Sequence, residues 1–197
     1  MNHFETLLTR YPALSACADE IQKAEKLMLD TYYAGGKILV CGNGGSASDA
    51  AHIVGELMKG FLLKRPMNEE TKKKFEDALG ENADDFAKNL QCGIPAIALD
   101  SQHALFTAYA NDVDADYVYA QQVFGYAREN DLFIGISTSG NSKNVVLAMK
   151  AAKALGLRGI ALTGAKESRL SALSDVTVRV PDTETFKIQE LHLPVYH

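Results

Sequence analysis

The sequence has 197 residues, 47% apolar and 23% charged, a balance that fits one globular domain and excludes a disordered chain, a collagen-like repeat and a coiled-coil rod. Lys and Arg number 20 against 25 Asp and Glu, and the net charge of −5 excludes the broad positive field that non-specific nucleic-acid binding needs. Apolar runs such as Ile94–Leu99 are too short to cross a membrane, and Cys17, Cys41 and Cys92, with no CxxC spacing, indicate neither a disulfide framework nor a zinc finger. Met1–Arg10 lacks the residue order of a signal peptide, so the reducing cytoplasm is the expected compartment.

Residues 4–34 are expected to be helical, broken near Tyr11-Pro12 and stopped by Ala34-Gly35-Gly36. Leu14, Cys17, Ala18, Ile21, Ala24, Leu27 and Met28 form an amphipathic stripe at three- and four-residue steps. Lys37–Cys41 is a short buried strand, Gly42–Ser46 a glycine-rich turn, and Ser46–Gly60 a helix. Residues 61–92 are dense in Lys, Glu and Asp and read as a helical insert on the surface. A second strand is expected at Ile94–Leu99, then helices over 103–110 and 115–128, interrupted at Asn111-Asp112. Leu132–Ile136 is a third strand, followed by the polar loop Ser137–Ser142 and a helix to Leu155 with Val145, Val146, Met149 and Ala152 inward. Gly159–Leu162 and Val176–Val180 complete the strands, and Glu184–His197 is a closing helix that Pro194 should kink. Short buried strands alternating with helices predict an α/β fold, a three-layer αβα sandwich around a five-stranded parallel sheet. Ligands in such folds bind beyond the carboxyl ends of the strands.

Two loops at those ends carry unusual chemistry. In Cys41-Gly42-Asn43-Gly44-Gly45-Ser46-Ala47-Ser48, glycines permit close backbone approach, and the following helix N-terminus favours an anion. Ser46 or Ser48 is the expected helix cap or hydroxyl donor. Gly42, Gly44 and Ala47 match a loose GxGxxA pattern, but the acidic residue expected about 20 positions on is not at a strand end, and Asp100 comes too late. A nucleotide cofactor is therefore not expected. The second loop places Ser137, Thr138, Ser139 and Ser142 after an apolar strand. One cap needs one hydroxyl, so the others are free to cradle a phosphomonoester. Neither a P-loop lysine nor a GxSxG elbow is present. His52 and Glu56 share one face of the helix leaving the first loop, and Gln189, Glu190, His192 and His197 make the closing helix densely polar.

The CGNGGSASDAAH segment (41–52) and the strand–STSGNS–helix arrangement closely resemble the sugar isomerase (SIS) domain, a flavodoxin-like fold. More narrowly they resemble the phosphoheptose isomerases. The resemblance covers Tyr33–His197 apart from the insert. It implies an aldose–ketose isomerase that interconverts sedoheptulose 7-phosphate and a heptose 7-phosphate, D-glycero-D-manno-heptose 7-phosphate, through a cis-enediol. It implies Glu56 as the base and His197 as the acid. Substrate contacts are implied at Asn43, Gly44, Gly45, Ser46, Asn111, Asp112, Ser137, Thr138, Ser139, Ser142 and Gln189. It also implies a zinc site at His52, Glu56, Gln189 and His197. Gln189 and His197 are about 12 Å apart along a regular helix, so meeting at one ion needs long side chains, the Pro194 distortion or a neighbouring subunit.

Family members are commonly homotetramers with active sites between subunits, which assigns residues 1–35 to oligomer packing within a single domain spanning 1–197. Small-molecule sugar phosphate is the implied partner, with no nucleic acid and no membrane. The sequence departs from the family at Gly60, where an Arg often follows the base, and at Phe186, where an Asp often precedes the glutamine. The insert is a further departure, and the family's last helix runs past the position of His197. An isomerase of another sugar phosphate and a non-catalytic sugar-phosphate sensor or scaffold are the alternative readings. Glu56, Gln189 and His197 together favour the enzyme.

Overall fold

The computed structural model describes residues 2–197. Helix α1 (His3–Arg10) is capped by Asn2, whose side chain accepts the backbone N–H groups of Phe4 and Glu5. Pro12 opens a 3₁₀ segment, Pro12–Cys17, which leads into α2 (Ala18–Tyr33). The break expected at Tyr11-Pro12 is therefore real, and Leu14, Cys17, Ile21 and Ala24 are the apolar residues that α2 and the preceding segment bury. Strand β1 (Ile38–Cys41) follows, then α3 (Gly45–Met58).

The insert forms two helices, α4 (Glu69–Leu79) and α5 (Ala83–Asn89), which pack through Phe75 and Phe86 with ring centroids 5.5 Å apart. Its base is closed by Arg65, which donates to the carbonyls of Cys92 and Leu57 at 2.8 and 2.5 Å. Strand β2 is shorter than expected, Ala96–Ala98. Helix α6 (His103–Tyr109) runs into a π-helical turn, Ala110–Asp114, then a 3₁₀ turn and α7 (Val118–Tyr126). Asn111-Asp112 thus widens a helix rather than forming an open loop, a distortion often met near functional sites. Strand β3 (Leu132–Ile136), α8 (Lys143–Ala154), β4 (Arg158–Thr163), β5 (Val176–Arg179) and α9 (Thr185–Tyr196) complete the chain. Helix α9 continues through Pro194 rather than ending there.

All strand pairs are parallel, in the order β2-β1-β3-β4-β5. Alternate side chains along each strand enter opposite cores, as the two-residue period requires. Ile38, Val40, Ile134, Ile160 and Leu162 pack with α2, α3 and α9, whereas Leu39, Cys41, Phe133 and Ala161 pack with α7 and α8. Helices cover both faces, which explains why β1 and β3 are buried at every position. The chain leaves β1 toward one edge and β3 toward the other, so a crevice opens where the loops after these neighbouring strands diverge.

Candidate active site

Both sequence-predicted loops reach this crevice. After β1, Gly44 takes φ +57, a left-handed conformation that glycine adopts without strain, and stands as the N-cap of α3 with no side-chain cap. Ser46 is not the cap expected from the sequence; it lies inside the first helical turn and is buried. A Cβ on Gly45 would stand 2.5 Å from Nε2 of Gln189, so the absence of a side chain is what lets the Gln189 amide rest on the start of α3.

After β3, Ser137 and Ser142 share a hydrogen bond between their hydroxyls at 2.9 Å. Ser142 is the N-cap residue of α8, yet its hydroxyl is turned to Ser137 and makes no cap. The Ser139 hydroxyl accepts the Asn141 N–H at 3.1 Å. Two residues the sequence reading passed over, Asn144 on α8 and Tyr119 on α7, hold the first loop. Asn43 and Asn144 exchange reciprocal amide hydrogen bonds of 2.8 and 2.9 Å, and the buried Tyr119 hydroxyl donates to the Gly42 carbonyl at 2.6 Å. The N-termini of α3 on one face and α8 on the other therefore meet without side-chain caps. Their positive dipole ends, converging on one crevice, suit a phosphate.

Farther along α3, His52 and Glu56 stand one turn apart, with His52 Nε2 3.2 Å from Glu56 Oε1. His197, at the end of α9, brings its Nε2 to 3.5 Å from His52 Nε2. Donor atoms of the three residues lie within 4.8 Å of one another. Glu56 Oε2 is enclosed and has no protein partner. Two imidazoles and a carboxylate with an unpartnered oxygen fit a divalent ion of the zinc type. Behind them, Tyr196 Oη is 3.1 Å from His52 Nδ1 and donates to Asp49 Oδ1 at 3.2 Å. Burial pushes both the Asp49 carboxyl and the Tyr196 phenol above their ordinary pKa ranges, and the neighbouring Asp49 adds to the effect on Tyr196. Asp49 and Tyr196 carry no local sequence signal, since the contact spans 147 positions.

The other predicted residues are placed differently. Gln189 lies against Gly45, about 10 Å along α3 from His52 by helical rise. Asn111 and Asp112 are exposed and bond each other at 2.8 Å. His192 is fully buried, with Nε2 3.3 Å from the Thr163 carbonyl, and burial lowers its pKa to about 4. It is a core histidine. An apolar cavity of about 340 Å³ lies between α1, α2 and the sheet, and its lining includes Glu56, Tyr196 and His197.

The sequence matches the model of the SIS domain over residues 4–91 and 81–164. It is 34% identical to a phosphoheptose isomerase of Akkermansia muciniphila, over all of this chain and 90% of that one. It is 36% identical to that of Shewanella denitrificans, over 98% and 87%. The solved phosphoheptose isomerase of Neisseria gonorrhoeae superposes with a TM-score of 0.76 at 33% identity, covering 99% of this chain and 91% of that structure. With a family model matched over most of its length and relatives more than 30% identical over nearly all of it, the chain belongs to the SIS domain family and, within it, to the phosphoheptose isomerases.

Proposed function

We propose that this protein is a sugar-phosphate aldose–ketose isomerase that interconverts sedoheptulose 7-phosphate and D-glycero-D-manno-heptose 7-phosphate. The observation that carries the reading is the convergence of His52, Glu56 and His197 at one end of a site whose other end is the phosphate-suited pair of loops. These ends are about 10 Å apart along α3, from Gly45 to His52, by helical rise. In an extended seven-carbon sugar phosphate, the reacting C1–C2 pair and the phosphate are likewise at opposite ends, so the spacing favours a long sugar.

In this mechanism the loops and helix ends hold the phosphate: Asn43, Gly44, Gly45, Ser46, Ser137, Thr138, Ser139 and Ser142. Gln189, seated over Gly45, contacts the sugar; Asn111 and Asp112 are the remaining candidates for substrate contact. The Glu56 carboxylate takes a proton from one of C1 and C2, exchanges it with solvent during the lifetime of the enediol, and protonates the other carbon. His197 moves protons between the two sugar oxygens, a task suited to an imidazole near neutral pH. His52, Glu56 and His197 are the side chains that would hold a zinc ion, whereas Gln189 lies over Gly45 at the other end of the site. When bound, such an ion polarises the substrate carbonyl.

The reading extends to a single cytoplasmic domain that assembles as a homotetramer through residues 1–35. Exposed Leu29, Tyr32 and Tyr33 on α2 support this, Tyr33 being 80% accessible. The test is turnover of sedoheptulose 7-phosphate. Glu56→Gln is expected to lower kcat at least about 10²-fold, the scale of a lost general base. Unchanged turnover in that variant rejects the role of Glu56. Full turnover after exhaustive chelation rejects the zinc. Absence of turnover in the unaltered protein, with the sugar phosphate still bound, points to a sensor or scaffold.

A further inference from the structure

The contacts behind His52 lead beyond this assignment. Tyr196 Oη is held between Asp49 Oδ1, 3.2 Å away, and His52 Nδ1, 3.1 Å away. As a carboxylate, Asp49 has acceptor oxygens only, so the phenolic proton points to it. The phenol then offers His52 only a lone pair, which requires a proton on His52 Nδ1. His52 Nε2 is left bare, facing Glu56 Oε1 at 3.2 Å and His197 Nε2 at 3.5 Å. A bare nitrogen and a carboxylate oxygen facing each other at this distance repel unless a cation or a shared proton lies between them.

We propose that Asp49 and Tyr196 are positioning residues that fix His52 as its Nδ1–H tautomer and turn its Nε2 lone pair into the site. Neither needs to touch substrate. Together they act as an outer carboxylate–phenol–imidazole chain, of the kind that orients histidine ligands in metal sites. The ring geometry agrees, since the Tyr196 and His52 rings meet edge to face at 73° with centroids 5.4 Å apart. The inference rests on reading His52, Glu56 and His197 as one site. Its test does not depend on turnover, so failure of one is distinguishable from failure of the other.

The experiment is long-range ¹H–¹⁵N correlation spectroscopy on the ¹⁵N-labelled, metal-stripped protein near pH 8, where an ordinary histidine is neutral. The His52 signals are assigned by their loss in His52→Gln. The unaltered protein should carry the proton on Nδ1. Tyr196→Phe should move it largely to Nε2, where it can be donated to Glu56. Asp49→Ala should do the same by freeing the phenol, while Asp49→Asn, which keeps an acceptor oxygen, should retain the Nδ1–H form. Cobalt(II) titration, read by its visible absorption, should show about 10- to 100-fold weaker binding in Tyr196→Phe, the scale of a lost outer partner. Thermal melts of the same variants verify that they fold. A proton on Nε2 of His52 in the unaltered protein overturns the proposal. So does a Tyr196→Phe protein that folds and keeps both the Nδ1–H tautomer and the cobalt affinity.

Discussion

His192 shows how a residue's chemistry follows from its surroundings. It lies five residues before His197, but its ring is enclosed, with Nδ1 lacking a partner and the pKa lowered to about 4. An unfolded chain binds this proton near pH 6.5, whereas the folded chain resists it down to about pH 4. The unfolded state therefore holds more protons in that window, so the stability contribution is complete above pH 6.5 and is lost as pH falls toward 4. The difference corresponds to about 3 kcal/mol. Urea titrations at pH 7 and pH 4.5 should show His192→Leu losing less stability on acidification than the unaltered protein. Equal losses would place the acid sensitivity elsewhere. His52 and Glu56 were legible in the sequence because a four-residue step suffices to place them together. The role of His197 came only with the family resemblance. Asn144, Asp49 and Tyr196 could not be read, because each acts through a partner about 100 or more positions away, a distance no local pattern encodes.

Among the elements, the start of the sheet depends on a single buried carboxylate. Asp131 accepts the Lys37 backbone N–H at 2.9 Å, the Lys37 ammonium at 2.5 Å and the Arg128 N–H at 2.7 Å. It thereby fastens the entries of β1 and β3 together. Asp131→Ala leaves these donors unpaired in a buried setting and should cost about 2–4 kcal/mol in urea unfolding. A loss below 0.5 kcal/mol, about the effect of an ordinary surface change, would mean that water replaces it. The charged insert makes the opposite case. Its helices pack mainly on each other, and Arg65 closes its base by bonding two backbone carbonyls. Replacing residues 68–90 with a short Gly/Ser link should leave the sheet folded and turnover of sedoheptulose 7-phosphate within a few-fold. Collapse of activity with retained fold would assign the insert a part in the site. Its charge density announced a surface position. The pairing of α4 with α5 through Phe75 and Phe86 was not visible in that pattern.

The molecule as a whole follows from alternation: short buried strands between helices allow little except a parallel sheet covered on both faces. The order β2-β1-β3-β4-β5 was not stated by that pattern, yet it determines which two loops meet. Because β1 and β3 are neighbours, the glycine loop and the serine loop share one crevice, while α3 and α9 carry Glu56 and His197 to its far side. The cavity of about 340 Å³ beneath α1 and α2 was equally hidden, since it depends on how those helices lean on the sheet. The central claim, proton transfer between sugar carbons by Glu56, is tested most directly by NMR of sedoheptulose 7-phosphate incubated with the protein in deuterium oxide. The account predicts an aldose product, with deuterium from solvent entering at carbon as the enediol is reprotonated, and neither product nor label with Glu56→Gln. Carbon-bound deuterium and aldose formed at an undiminished rate by Glu56→Gln would contradict it.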